Sequence, residues 1–214
     1  MRAATKTATK KTEKLDLYRK YSKEYAASRN PAFVKIGSAT YLFISGKGAP
    51  GGEAFSEAIG ALYGVAFTVK MTRKFAGKQD YAVSKLEGLW PDFKCGEPIP
   101  DKDQWTWQML IRTPDFVKQN EIKQAVAVLQ KRGKGAGAER VHLESIEEGL
   151  CVQALHVGPY EDAVATLAIM KSFAEKEGMK LRGVHHEIYL SDPRRVEPAK
   201  LKTILRHPVE RIGN

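Results

Sequence analysis

The sequence predicts an α+β fold. Two pseudo-twofold strand–helix–strand–strand units join in one antiparallel sheet, with helices on one face and a ligand cleft on the other. Three observations predict it. Runs rich in β-branched and aromatic residues, such as 39–45 and 184–190, are interspersed with runs whose apolar residues recur at three- and four-residue spacing. The order of these runs repeats once along the chain. Glycine and proline punctuate it, with 46–52 and Gly158-Pro159 before two helices and Gly133 and Gly178 after two.

The elements follow in order. Residues 13–28 read as a short helix, stopped before Asn30-Pro31 because the residue preceding a proline disfavours helical backbone. A strand over 39–45 leads into the turn 46–52. This turn lacks the spacing of a phosphate-binding loop and reads as a turn alone. A helix over 53–67 places Phe55, Ala58, Ile59, Leu62 and Ala66 on one stripe. Strands over 81–90 and 104–112 follow, then a helix over 115–131 with Ile122, Ala125, Val126 and Leu129 inward. The second half has strands over 139–146 and 150–157. A helix over 160–177 then carries Ala163, Val164, Leu167 and Ala174, and strands over 184–190 and 202–207 finish it. The expected organisation is a disordered basic tail, 1–12, and a single domain, 13–214, with halves at about 31–132 and 139–210.

Composition excludes several classes. A chain that is 43% hydrophobic and 28% charged is ordinary for a globular protein, and no run reaches the roughly 20 apolar residues of a membrane span. No apolar segment follows the basic N-terminus, so a secretory signal is not expected. The net charge of +10 resembles a nucleic-acid signal, but residues 1–30 hold nine Lys/Arg against three acids, so six of those charges sit near the N-terminus. No specific nucleic-acid partner and no membrane contact are expected. Cys95 and Cys151 read as free thiols of a cytoplasmic protein. No Cys/His spacing suits a metal, and no cofactor is expected. The adjacent His185 and His186 face opposite sides of a strand and cannot share one ion.

The run 184–190 is the richest in chemistry. Alternation points Val184, His186, Ile188 and Leu190 one way and His185, Glu187 and Tyr189 the other, setting a carboxylate between two hydrogen-bonding rings. The repeat aligns Leu86-Glu87-Gly88-Leu89-Trp90 with this run and pairs Glu87 with Glu187. Trp90 shares a face with Glu87 only if Gly88 sits in a bulge, which is the expectation.

These residues resemble a known family. Lys14-Leu15-Asp16-Leu17-Tyr18, the run 41–48, Ala61-Leu62-Tyr63, Asp80-Tyr81, the run 86–90, the run 185–195 and the closing 200–209 are similar to stand-alone GyrI-like small-molecule-binding proteins. The resemblance implies two units around a central cleft. It also implies aromatic walls and a glutamate that meets lipophilic, often cationic, ligands. Some stand-alone members hydrolyse cyclopropane-bearing DNA-alkylating antibiotics.

A carboxylate among aromatic rings suits a lipophilic cation, since each ring face adds about 0.5–2 kcal/mol of cation–π attraction. Trp90, Tyr63, Trp107, Tyr160, His156, Glu87 and His185 are the candidate ligand-binding residues, with Trp105 a further candidate wall. Glu187 and Tyr189 are the candidate catalytic pair. The expectation is capture of a small hydrophobic or cationic compound by a monomer or homodimer. The alternative is a hydrolase that opens a strained cyclopropane, with Glu187 as general base toward water and Tyr189, Tyr160, His156 or His185 as donor to the oxygen that gains charge. Each tryptophan equally reads as core, and His156 as a strand-end histidine. Inhibition of gyrase rests on the resemblance alone.

Overall fold

A computed structural model describes residues 13–93 and 100–213. The proposed tail 1–12 and Cys95 lie outside the described residues. The protein has an α+β fold, as the sequence predicts, with nine strands among the described residues: β1 (Ala32–Ile36), β2 (Ala39–Lys47), β3 (Leu86–Trp90), β4 (Thr106–Arg112), β5 (His142–Ile146), β6 (Gly149–Val157), β7 (Met179–Leu181), β8 (His185–Tyr189) and β9 (Lys202–Arg211). The helices are α1 (Leu17–Lys20), α2 (Glu53–Phe75), α3 (Gln119–Lys131) and α4 (Ala163–Lys176).

The sheet runs β1-β6-β9-β8-β3-β4-β2-β5, every pair antiparallel, with β7 against β9. One unit is β2–α2–β3–β4 and the other β6–α4–β8–β9. They meet where β3 pairs with β8. Only residues 37 and 38 link β1 to β2, which lie near opposite ends of this order. Two residues span only about 10 Å from end to end, so the sheet curls until its ends approach. The Ser38 and Ser145 hydroxyls, 3.0 Å apart, close that corner.

Apolar alternation decides which face each helix covers. Leu42 and Ile44 of β2 and Trp107, Met109 and Ile111 of β4 share a core with Ala58, Leu62, Val65 and Val69 of α2 and with Ile122 and Leu129 of α3. Val152 and Ala154 of β6 and Leu205 of β9 meet Leu167, Met170 and Ala174 of α4 in a second core on the same face. A Cβ at Gly46 would run into the Trp107 ring, so only glycine lets that ring lie over the strand. The other face carries Leu89 and Leu110, then Ile188 and Ile204, and is covered by Tyr18, Tyr21 and Tyr25.

Several boundaries differ from the sequence reading. The helix expected over 13–28 is a single turn, capped by Asp16, whose carboxylate accepts from the Arg19 amide; beyond it the backbone runs on through turns. Packing on the sheet takes precedence there over helix propensity. Helix α2 runs to Phe75 because Val69 and Arg73 continue its buried stripe. The strand expected over 81–90 begins only at Leu86, with Tyr81 making an isolated bridge to Leu15. Strands β1 and β7 were not foreseen; both are short and pair with single neighbours at the sheet's margins.

Candidate functional site

Regular antiparallel pairing at the seam sets Glu87 opposite Ile188, Gly88 opposite Glu187, Leu89 opposite His186 and Trp90 opposite His185. Pairing with β4 is equally regular, Gly88 lying opposite Met109. Directly opposed residues share a face, so Gly88, Trp90, His185, Glu187 and Tyr189 all project to the helix-covered side. The bulge expected at Gly88 is absent. Glu87 therefore faces away from Glu187 and Trp90. The cleft was expected on the face away from the helices, but Glu187 projects on the helix side, at the seam between the core under α2 and the core under α4.

The Glu187 side chain is 13% exposed. The Nε2 of His185 lies 3.3 Å from its Oε1. The Tyr189 hydroxyl lies close enough to Glu187 for the carboxylate to act on it, and the Trp90 indole N–H donates to the Tyr189 oxygen over 3.1 Å. Burial, and then Glu187, raise the Tyr189 phenol well above its ordinary value, so it stays protonated and can donate. The result is a protonated phenol, its oxygen held by the indole N–H, beside the carboxylate. Gly88 makes room for it. A Cβ there would sit 3.0 Å from the Tyr189 hydroxyl, 3.2 Å from the Trp90 nitrogen and 3.3 Å from the Met109 methyl.

Aromatic rings wall this carboxylate. Tyr160 meets Tyr189 edge-on at 5.7 Å, and its own phenol is raised by burial and then by Glu187. Trp90 stacks on Phe55 and meets Trp105 edge-on. Phe93 lies over His185 with ring centres 5.3 Å apart and packs against both cores, so it bridges the two units above the seam. Trp90, Phe93 and Trp105 line a small recess with Asp92 and Thr106. Tyr63 lies on α2; burial and then Asp192 raise its phenol, and Asp192 also acts on Tyr160.

Of the residues singled out from sequence, the fold brings together Glu187, Tyr189, His185, Trp90 and Tyr160, and Tyr63 packs against the same core as Trp90 and Tyr189. Three others lie elsewhere. Trp107 is 1% exposed beneath α2, its indole donating to the Gly48 carbonyl, and is core. His156 is buried with both ring nitrogens engaged, at 2.9 Å from the Thr166 hydroxyl and 2.9 Å from the Pro159 carbonyl, and it fixes the start of α4. Glu87 is wholly buried on the far face against Tyr25 and His186. Sequence reasoning missed Phe55 and Phe93 as wall residues. Phe55 was read only as inward helix stripe, and Phe93 follows β3 in a turn where periodicity carries no signal. Among the described residues no group of three or more His, Cys, Asp and Glu could hold a metal ion, and no helix is long and apolar enough to cross a membrane.

A duplicated α+β sheet with an acid and aromatic rings at its seam defines a small-molecule-binding class. The chain belongs to the GyrI-like small molecule binding domain family, whose model matches residues 29–210. Among solved structures, a hydrolase from Listeria innocua is 39% identical over 92% of this chain and all of that one, with a TM-score of 0.83. An uncharacterized conserved protein from Listeria innocua has the same identity and coverage and a TM-score of 0.86. The EcmrR C-terminal domain, 14% identical over 85% of this chain and 98% of its own, shares the fold with a TM-score of 0.56. No curated protein matches.

Proposed function

We propose that the seam between the two units captures a small lipophilic compound that is cationic or electron-poor, holding it against Glu187, and that the protein does so in the cytoplasm as a monomer or homodimer. The observation that carries this is the placement of Glu187. A carboxylate beside His185, Tyr189 and Tyr160, with Phe93 packed on that imidazole and Trp90 bonded to the Tyr189 hydroxyl, offers negative charge beside an apolar wall. Such a wall buries the ligand's apolar surface at about 25 cal/mol per Å² while the charge selects its sign. Family membership supports a small-molecule ligand.

A second reading, hydrolysis of a strained cyclopropane electrophile, is favoured by the Trp90–Tyr189–Glu187 chain. Binding alone does not require a protonated phenol whose oxygen is held by an indole beside the acid. In this reading Glu187 takes the proton of a water as its oxygen attacks the cyclopropane carbon. Tyr189 or Tyr160 donates to the carbonyl oxygen on which the electrons of the broken bond settle. The 39% identity to a Listeria innocua hydrolase supports it. Incubation with a cyclopropanoid alkylator, followed by mass spectrometry, separates the readings. Water-adduct formation that is lost in Glu187→Gln supports hydrolysis; retention of intact compound on the protein supports capture; neither outcome in the wild type removes both for that class.

A further inference from the structure

Behind the seam, on the face turned away from the helices, lies a buried polar network that the cleft itself does not use. The Tyr25 hydroxyl donates to Glu87 Oε1 over 3.0 Å. The other Glu87 oxygen lies 3.0 Å from His186 Nε2, and His186 Nδ1 lies 3.0 Å from Glu148. Arg206 continues the network to Glu148 over 3.0 Å and to Gln153 over 2.9 Å. Arg112 donates to Glu24 over 2.7 Å and to the Tyr25 oxygen over 3.3 Å.

This network is closed by a segment outside the residues matched by the family model. The Glu24, Ala26 and Ser28 carbonyls accept from Arg206, Gln153 and the Leu155 amide at 2.6, 2.8 and 2.7 Å. Segment 16–28 therefore ties down groups from β3, β4, β6 and β9 at once. The two strands that floor the cleft are the ones it reaches through Glu87. Glu87 adjoins Gly88 in β3, and Glu87's partner His186 sits between His185 and Glu187 in β8. A fully buried carboxylate is tolerated only when its partners stay in place, so loosening Tyr25 frees Glu87 and with it the relative placement of β3 and β8.

We infer that segment 16–28 braces the cleft through the sheet, with Tyr25 and Glu87 as positioning residues for Glu187; this rests on Glu187 being the working group of the cleft. Tyr25→Phe removes the hydroxyl and keeps the ring that packs on Tyr18, Ile188 and Ile204. Leu129→Ala thins the packing of α3 against α2 and leaves segment 16–28 and its partners untouched. The test uses the full chain, the lipophilic cation tetraphenylphosphonium as probe, and the indole N–H resonance of Trp90, assigned with Trp90→Phe. That resonance reports the Trp90–Tyr189 hydrogen bond without any ligand. Tyr25→Phe is expected to shift it and to weaken the probe about three- to tenfold, the range of coupling through a packed network. Leu129→Ala, at an equal or greater loss of Tm, leaves both at their wild-type values. Glu87→Gln, isosteric with the native residue, replaces Tyr25→Phe if that variant does not fold and is expected to shift the same resonance. An unmoved Trp90 resonance in the folded variant, or the same shift in Leu129→Ala, overturns the brace. A wild type that ignores the probe counts against the cleft reading, and the resonance still decides the brace.

Discussion

Gly88→Ala places one methyl group at the centre of the site. Its carbon would lie 3.0 Å from the Tyr189 hydroxyl, 3.2 Å from the Trp90 nitrogen and 3.3 Å from the Met109 methyl, all closer than ordinary contact. Met109 is flexible and gives way readily. Tyr189 and Trp90 are linked to each other at 3.1 Å, so moving either lengthens their hydrogen bond. Overpacking of this kind costs about 1–3 kcal/mol and the hydrogen bond about 1 kcal/mol. Restricting the unfolded chain returns about 0.4–1 kcal/mol. The net loss of about 2 kcal/mol corresponds to a Tm lowered by roughly 4–8 °C for a chain of this size. Displacing Tyr189 also unseats Glu187, and ligand affinity is expected to fall about tenfold, equivalent to about 1.4 kcal/mol. Thermal denaturation and calorimetric titration of the two proteins measure both. A variant that binds with wild-type affinity would show that the Trp90–Tyr189–Glu187 chain does not shape the cleft.

Three further outcomes are expected. His156→Ala should cost about 1–3 kcal/mol by stranding the Thr166 hydroxyl and the Pro159 carbonyl, while affinity in the folded protein stays unchanged; a selective loss of affinity would return His156 to the cleft. Glu148→Gln should cost about 3–5 kcal/mol in chemical denaturation, since Arg206 and His186 lose their shared buried partner; a loss under 1 kcal/mol would contradict that. Burial opposes charge on His186, but Glu148 and then Glu87 outweigh it and lift its pKa from 6.5 to about 9. A raised folded value means the stabilisation is fully present below pH 6.5 and is lost as pH climbs through about 9. The loss is on the order of 3 kcal/mol, so Tm should fall between pH 7 and 9.5. The fall should flatten in His186→Gln, and an equal fall in that variant would assign it to another group.

Much of the fold was legible because it rests on periodicity. Alternation alone put His185, Glu187 and Tyr189 on one face of β8, which is where the model has them. The repeat was legible in order but misled in register. The motifs around Glu87 and Glu187 look alike, yet both helices cover the same face, so the pseudo-twofold axis is normal to the sheet and keeps every residue on its own face. The counterpart of Glu187 is therefore Gly88, and that of Glu87 is His186. One unit supplies the acid and the other the space for it. Trp107 and Trp90 share an apolar, aromatic character that gives no hint of depth; both are buried in the core under α2, and the close approach over Gly46 seats Trp107 deeper. The segment 16–28 carries helix-forming residues, and what pulls it onto the sheet is a set of partners 62 to 182 residues away in sequence, beyond the reach of any local pattern.

The central claim is that Glu187 supplies the charge that holds the ligand. Calorimetric titration of tetraphenylphosphonium into the wild type and Glu187→Gln tests it most directly. The substitution keeps the shape and removes the charge, which at close range and partial burial contributes at least about 1.4 kcal/mol. The account predicts that Glu187→Gln binds at least about tenfold more weakly, with its Tm within a few degrees of wild type. Equal affinity in the two proteins would contradict it.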